Sequence, residues 1–276
     1  MPIILKGDGT REAFDIQKLE YSLKRSGAED GLAESVAAKV ASHVKDGMTT
    51  TEIYRNAYRI LGKEEKATAA RYSMRRAILE LGPSGFPFED FVSEVMRRRG
   101  YASHVRQTIK GKCALHEVDV IFEKDGHTIG AELKFHNVVG FKTDLKTALY
   151  VEARFRDIAR AKEAGDTPHS IDEGWLITNT KFTTNAIDFA ACAGITLLGW
   201  SYPQKGNLSD MIRETGVYPL TVLSTLSKKE KDLLLSQGVA LCGSVAENPD
   251  VLVKAGIASH KRQAIIAEST AVCAVV

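Results

Sequence analysis

Between residues 115 and 136 apolar and polar side chains alternate on either side of Lys124-Asp125-Gly126, a pattern that a β-hairpin satisfies and a helix does not. In the first strand Glu117, Asp119 and Ile121 share one face and Val118, Val120 and Phe122 the other; in the second, Glu132, Lys134 and His136 oppose Leu133 and Phe135. Pairing the strands brings Asp119 beside Glu132 and Lys134. Two carboxylates on one face offer oxygen ligands to a hard divalent cation such as Mg²⁺ or Mn²⁺. A lysine two residues beyond the second carboxylate can orient or deprotonate a water, or stabilise charge on phosphate oxygens. Any solvated sheet face carries acids and lysines in alternation. What marks this one is its strongly apolar reverse face, the bounding Gly130-Ala131 and Phe135, and a basic approach.

Asp119 followed by Glu132-Leu133-Lys134 resembles the PD-(D/E)xK nucleases, in particular the restriction-endonuclease-like group with Mrr-type catalytic domains. Glu117-Val118-Asp119-Val120 stands where that family carries its metal-binding Asp, and Glu89-Asp90-Phe91-Val92 resembles its preceding helix with a Glu facing the site. The likeness spans residues 86–219. It implies a metal-dependent DNA endonuclease in which Asp119, Glu132 and Glu89 are metal ligands, Lys134 positions the attacking water, and Glu89 serves as outer ligand or water acceptor.

With 276 residues, 44% of them hydrophobic, the chain has enough apolar matter for two or three compact cores. A formal charge of +2 excludes a histone-like polycation, so any nucleic-acid surface is regional. Cys113, Cys192, Cys242 and Cys273 form no C-x-x-C pair, which points away from a zinc ribbon and towards buried thiols in a reducing compartment. No apolar run reaches membrane-spanning length, and the expectation is a cytoplasmic protein.

Residues 3–15 read as two short strands about an Asp8-Gly9 turn, and Asp15 as the cap of a helix over 16–23 that Gly27 ends. Helices over 32–44, 51–61 behind the threonines at 49–51, and 66–81 complete a small bundle. Lys6-Gly7-Asp8-Gly9, Phe14-Asp15-x-x-Lys18-Leu19, Thr50-Thr51-Glu52-Ile53-Tyr54 and Ala69-Ala70-Arg71-Tyr72 resemble the ATP-cone, a nucleotide-binding regulatory module of ribonucleotide reductases and their repressor; Gly7 stands where that family commonly has arginine. The resemblance implies ATP or dATP as an allosteric ligand, Lys6 and Lys18 on its phosphates, and Thr50 and Tyr54 lining the pocket.

Gly82-Pro83-Ser84-Gly85 and Pro87 cannot continue a helix and mark a domain boundary. A helix over 88–99 follows, then a stretch with six cations and no acid: Arg97, Arg98, Arg99, Arg106, Lys110 and Lys112, a candidate DNA track. His104, His116 and His136 show no ligand spacing and rank as accessory. A helix over 144–164, a buried strand at 174–178, a helix over 183–193 and a buried strand at 195–200 imply a sheet covered on both faces. The last fifty residues read as helices over 227–236, 248–254 and 259–267, expected to cap the nuclease core, with Ala255-Gly256-Ile257 and Ser259-His260-Lys261-Arg262 like half of a helix-hairpin-helix. The expected fold is thus an α/β multidomain chain: an N-terminal helical bundle with a hairpin cap (1–83), a restriction-endonuclease-like α/β/α domain with a mixed sheet (84–220), and a helical region (221–276). Its expected partners are DNA, an adenine nucleotide and further copies of itself. The competing readings are a non-catalytic nucleotide-sensing DNA-binding regulator and a nuclease for branched DNA or RNA.

Overall fold

Burial and backbone pairing divide the chain into two units, Met1–Glu80 together with Tyr218–Val276, and Leu81–Val217. The computed structural model describes residues 1–7, 9–82, 84–138, 140–167 and 171–274; Asp8 of the first turn and Pro83 of the linker lie outside the described residues.

In the first unit, β1 (Ile3–Leu5) pairs antiparallel with β2 (Arg11–Ala13). The Asp15 carboxylate accepts from Gln17 N–H at 2.9 Å and starts α1 (Ile16–Lys24), ahead of α2 (Asp30–Ala41). Helix α3 (Thr50–Glu64) opens with a capping box: Thr49 Oγ1 accepts from Glu52 N–H at 3.2 Å and the Glu52 carboxylate from Thr49 N–H at 2.8 Å. Such a cap stabilises a helix by about 1 kcal/mol. Leu19, Leu23, Val36, Val40, Ile53, Ala57 and Leu61 form the core between these helices. The single helix expected over 66–81 is two, α4 (Lys66–Tyr72) and α5 (Met74–Leu79). At the break the Ser73 hydroxyl donates back to the Ala70 carbonyl at 2.7 Å, the local competition by which serine interrupts a helix.

The central unit opens with α6 (Phe86–Arg98), whose Phe88, Phe91, Val92, Val95 and Met96 are buried. It packs on β3 (Ala102–Lys110), a strand that the basic composition of residues 97–112 concealed, and on β4 (Leu115–Lys124). The β4 to β5 (His127–Lys134) connection is the expected hairpin. Lys124 pairs with His127, and Asp125 and Gly126 take φ of 52° and 77°, both left-handed, as the two-residue turn requires. Next come β6 (Lys142–Thr143), α7 (Leu145–Glu163), β7 (Glu173–Thr178), β8 (Lys181–Phe182), α8 (Thr184–Ala193), β9 (Ile195–Leu198) and α9 (Leu208–Thr215). The main sheet runs β3-β4-β5-β7-β9, antiparallel through β5 and parallel thereafter. Two glycines let α7 lie close on it: a Cβ at Gly130 would fall 2.6 Å from the Phe155 ring, and one at Gly174 2.5 Å from it.

The C-terminal segment supplies α10 (Lys228–Ser236), α11 (Gly243–Glu247), α12 (Asp250–Lys254) and α13 (Ser259–Cys273). Expected as a cap on the nuclease core, it folds instead into the unit of the N-terminal bundle. Buried Arg71 of α4 donates to the Val272 and Ala271 carbonyls at 3.3 and 3.2 Å, satisfying the end of α13, and Thr221 Oγ1 donates to the Ala77 carbonyl at 2.5 Å. Gly256 (φ 67°) makes the expected turn between α12 and α13. Lys261 is nevertheless bound to Glu230 at 2.6 Å, and Arg262 donates from Nε to the Ile257 carbonyl at 2.7 Å. Of the cysteines expected to be buried, Cys242 is; Cys113, on the β3–β4 turn, and Cys192, on α8, are exposed. Among the described residues no helix is long and apolar enough to cross a membrane.

Candidate active site

The β4–β5 ladder ends at Val120↔Ala131. One residue further, where the register would place Asp119 opposite Glu132, the hairpin strands part, while on its other edge β5 stays paired with β7 as far as Lys134↔Thr178. The Asp119 carboxylate fills the opening and accepts the Leu133 N–H at 2.7 Å. On its other side the β3–β4 ladder is broken at the same level: Val105↔Val120 and Gln107↔Val118 pair, while Arg106 between them takes φ 54°, a left-handed conformation rare for a non-glycine residue. Asp119 is therefore flanked by interrupted ladders on both sides. The irregularity sets its carboxylate free from the plane of the sheet's own pairing.

Glu132 is 3% exposed and accepts from Lys134 Nζ at 2.5 Å and from Arg154 Nη1 of α7. Arg154 also donates to the Tyr150 hydroxyl one turn earlier, and its buried Nε has no hydrogen-bond partner among the described residues. The Tyr150 ring lies 4.7 Å from the Arg154 guanidinium and 6.0 Å from Lys134 Nζ. Behind Lys134, Thr178 Oγ1 donates to the Lys134 carbonyl at 2.8 Å, and Asn179 clamps His136 through both backbone groups at 2.9 and 2.7 Å. Glu89, at the start of α6 and 7% exposed, receives Arg106 Nη1 at 3.1 Å, while Arg106 Nη2 goes to Asp90 at 2.9 Å.

Burial, and then the neighbouring Glu132, push Asp119 up to about 6; burial, and then Asp119, push Glu89 up to about 7, against the pull of Arg106. Asp119 thus feels Glu132, Glu89 feels Asp119, and burial makes both carboxylates costly as bare charges. Such carboxylates fit a hard divalent cation on Asp119 and Glu132, since Mg²⁺ is commonly held by one or two carboxylates with water completing its shell. Among the described residues no group of three or more His, Cys, Asp or Glu side chains is placed to hold a metal ion, so the expected set of three ligands, Asp119, Glu132 and Glu89, is not brought together as one group.

An ATP cone domain model matches residues 2–80, a restriction endonuclease model of the Mrr catalytic type residues 82–200, and an AF1548-like C-terminal model residues 218–273. An uncharacterized protein of Archaeoglobus fulgidus is 33% identical over 179 residues, which is 64% of this chain and 97% of the relative. This chain belongs to the AF1548-like family. The crystal structure of AF1548, a protein of unknown function, shares 32% identity and a TM-score of 0.58, covering 69% of this chain and 98% of that one. A repair endonuclease from Pyrococcus abyssi is 20% identical with a TM-score of 0.28 over 42% of this chain and 46% of that one, too slight a likeness to carry weight. The AF1548-like chain is thus an ATP-cone followed by a restriction-endonuclease-like domain and the family's own C-terminal region.

Within this AF1548-like chain the six cations of residues 97–112 are largely engaged. Arg97 donates to the Ser103 carbonyl at 3.0 Å, Arg98 meets Glu94 at 3.1 Å, Arg99 meets Glu214 at 2.6 Å, Arg106 holds Glu89 and Asp90, and Lys112 meets Asp166 at 2.8 Å; Lys110 is exposed. His116 Nε2 lies 2.8 Å from Asp157, which the imidazole and nearby amides hold down at about 2, so it fixes the β3–β4 turn. In the ATP-cone, Lys6 and Lys18 converge on Glu12 at 3.0 and 3.5 Å, and Glu12 is held below the usual carboxylate range by Lys6. Thr50 begins α3 next to Thr49, which bridges to Leu5, and Tyr54 stacks on Tyr72 with centroids 5.2 Å apart. Arg154, Tyr150 and Asn179 escaped the sequence reading as site residues, and Arg106, read as part of the DNA track, holds Glu89 and Asp90. Arg154 lay in view on an amphipathic helix, but nothing local aims a helical arginine at a strand carboxylate.

Proposed function

We propose that the central domain hydrolyses phosphodiester bonds in DNA with Mg²⁺ or Mn²⁺ held by Asp119 and Glu132, Glu89 acting as outer ligand or water acceptor. The observation that carries this reading is the opening between β4 and β5, where the Asp119 carboxylate sits beside Glu132 and within the field of Lys134. The bound ion would lower the pKa of a water and neutralise charge on the phosphate oxygens. Lys134, released from Glu132, orients the attacking water or offsets charge on the phosphate. Glu89, kept close to neutrality in proton affinity, accepts a proton from that water. Arg154 holds Glu132 by charge and keeps its carboxylate towards Lys134. Arg97, Arg98, Arg99, Arg106, Lys110 and Lys112 remain the proposed DNA track, reached by exchanging their internal partners for phosphates. We further assign ATP or dATP to the ATP-cone, with Lys6, Lys18, Thr50 and Tyr54 as its contacts and with occupancy altering cutting or self-association; linkage requires that occupancy favour one functional state over another.

The test is incubation of the purified protein with linear, nicked, branched and methylated DNA plus Mg²⁺, with and without ATP. Metal-dependent cutting that Lys134→Ala abolishes supports the reading. A second reading, a nucleotide-sensing regulator that binds DNA without cutting it, is favoured by the double engagement of Glu132 by Lys134 and Arg154. Salt-sensitive DNA binding with no cutting on any substrate would establish that alternative.

A further inference from the structure

The unit formed by the N-terminal bundle and the C-terminal helices carries a cavity of about 310 Å³ that is open to solvent. That is the small end of the range of about 300–1,000 Å³ for ligand sites, room for a mononucleotide and not for a polymer. One wall is Tyr54, Arg55 and Tyr58 of α3 with Arg76 of α5; the facing wall is Thr221, Val222, Ser224 and Lys231 of α10. The facing wall is fixed in place. Thr221 donates to the Ala77 carbonyl, and Glu268 accepts both the backbone and the hydroxyl of Ser224 at 2.8 and 2.6 Å and of Thr225 at 2.9 and 2.5 Å.

Three cations line the cavity, Arg55, Arg76 and Lys231, against one acid, Glu80, which is 3.0 Å from Arg76. The lining therefore carries two positive charges in excess. Lys231 donates one N–H to the Thr221 carbonyl at 2.6 Å, which leaves two of its three donors for other partners. Its half-buried ammonium is discouraged by desolvation, so an anion in the cavity would be welcome there. Tyr54 and Tyr58 stack with centroids 6.2 Å apart and give the same cavity aromatic surface. Rings beside excess cations match a ligand that joins a planar base to phosphate. Of the four residues that the ATP-cone resemblance assigns to the nucleotide, Tyr54 lines this cavity, while Lys6, Lys18 and Thr50 do not.

We propose that this cavity is a mononucleotide site completed by the C-terminal segment, with the phosphates on Arg55, Arg76 and Lys231 and the base against Tyr54 or Tyr58. The proposal rests on the reading that this unit binds nucleotide, keeps Tyr54, and moves the phosphates from Lys6 and Lys18 to Arg55, Arg76 and, outside the ATP-cone, Lys231. It makes the C-terminal region a part of the sensor.

Calorimetry on the full chain, with ATP and with adenosine as probes, tests it. Lys231→Met and Arg55→Gln are each expected to weaken ATP at least tenfold and to leave adenosine within about twofold, because both side chains meet phosphate and not the base. Lys231→Arg, which keeps the charge, is expected to retain most of the ATP affinity. If Lys231→Met and Arg55→Gln bind ATP like wild type while Lys6→Ala with Lys18→Ala does not, the site lies at the hairpin lysines: the proposal falls and nucleotide binding stands. If Lys231→Arg loses as much as Lys231→Met, Lys231 serves packing and the proposal falls. If wild type binds no ATP at millimolar concentration, both fall together.

Discussion

The strand opening around Asp119 and the cavity beside Arg76 are electrostatic opposites that reach their states by opposite routes. At the opening, burial first and a neighbouring acid second make Asp119 and Glu89 hold their protons; in the cavity, burial disfavours the charge on Lys231 against the pull of Glu80 and Glu268. The first comes mostly from one hairpin, with Arg154 and Glu89 added by neighbouring helices. The second comes from segments far apart in sequence, as with Thr221 and Ala77 at a separation of 144 residues. Buried charge, held in place by a rigid frame, marks each as a place that a counter-charged ligand would complete. A motif along the chain reveals the first kind and is blind to the second.

The contrast is tested most severely by removing the chemistry itself. Lys134→Ala and Asp119→Ala are each expected to lower metal-dependent cutting by about 10²–10⁴-fold, with circular dichroism unchanged and DNA retained in a mobility-shift assay. Wild-type cutting by Lys134→Ala would break the assignment. Next in size is Arg154→Met. Leaving buried Glu132 with Lys134 alone is expected to cost roughly 3–5 kcal/mol in denaturant unfolding, whereas Lys134→Met, which removes the more exposed partner, should cost less. Equal costs would mean that Arg154 is no more than an ordinary surface partner. Gly130→Ala tests the frame: the added methyl meets Phe155 and Ile171 at 2.6 Å, for an expected loss of about 1–3 kcal/mol, partly recovered by Phe155→Leu in the same chain.

A pH series separates the two regions by sign. Asp119 and Glu89 rise from ordinary carboxylate values near 4 in the unfolded chain to about 6 and about 7 when folded, so the folded state holds more protons through that window. Their contribution is full below about pH 4 and is lost as pH rises through 6 and 7. The melting temperature without metal is therefore expected to fall over that interval, more than in Asp119→Asn with Glu89→Gln. Added Mg²⁺ should stabilise more at pH 8 than at pH 5.5, because it competes with those protons. No difference between wild type and the double variant would show that the acids are not crowded. The smallest effect is expected from Arg97, Arg98 and Arg99 changed together to Ala. Every phosphate that is no longer neutralised flattens the salt dependence of DNA affinity by about 0.9 in slope, and here the carbonyl and carboxylate partners of these arginines reduce the change below three such steps.

The hairpin was legible because its signal is local: an Asp-Gly turn demands left-handed φ at both positions, and period-two alternation then settles which side chains share a face. The caps at Asp15 and Thr49 were legible for the same reason. Ser73 was misread as helix interior because its hydroxyl competes for a carbonyl that the pattern of apolar residues ignores. Strand β3 was hidden by its own exposure, since one face meets water and carries no apolar period. Arg99, Arg106 and Lys112 looked like part of a track because their partners Glu214, Glu89, Asp90 and Asp166 come from other elements.

What the sequence determined by itself was the set Asp119, Glu132 and Lys134 on one strand face, together with the order of an ATP-cone before a restriction-endonuclease-like domain. Backbone geometry of two to five residues suffices for the first, and chain order for the second. Tertiary structure alone decided that Arg154 and Tyr150 join that face, that Arg106 holds Glu89, and that residues 218–276 return to the N-terminal bundle, with Arg71 on a carbonyl 201 residues away. Those arrangements depend on burial summed over whole elements, on glycines that let α7 approach the sheet, and on polar groups that must find partners wherever the packed chain offers them. No window along the chain contains that information.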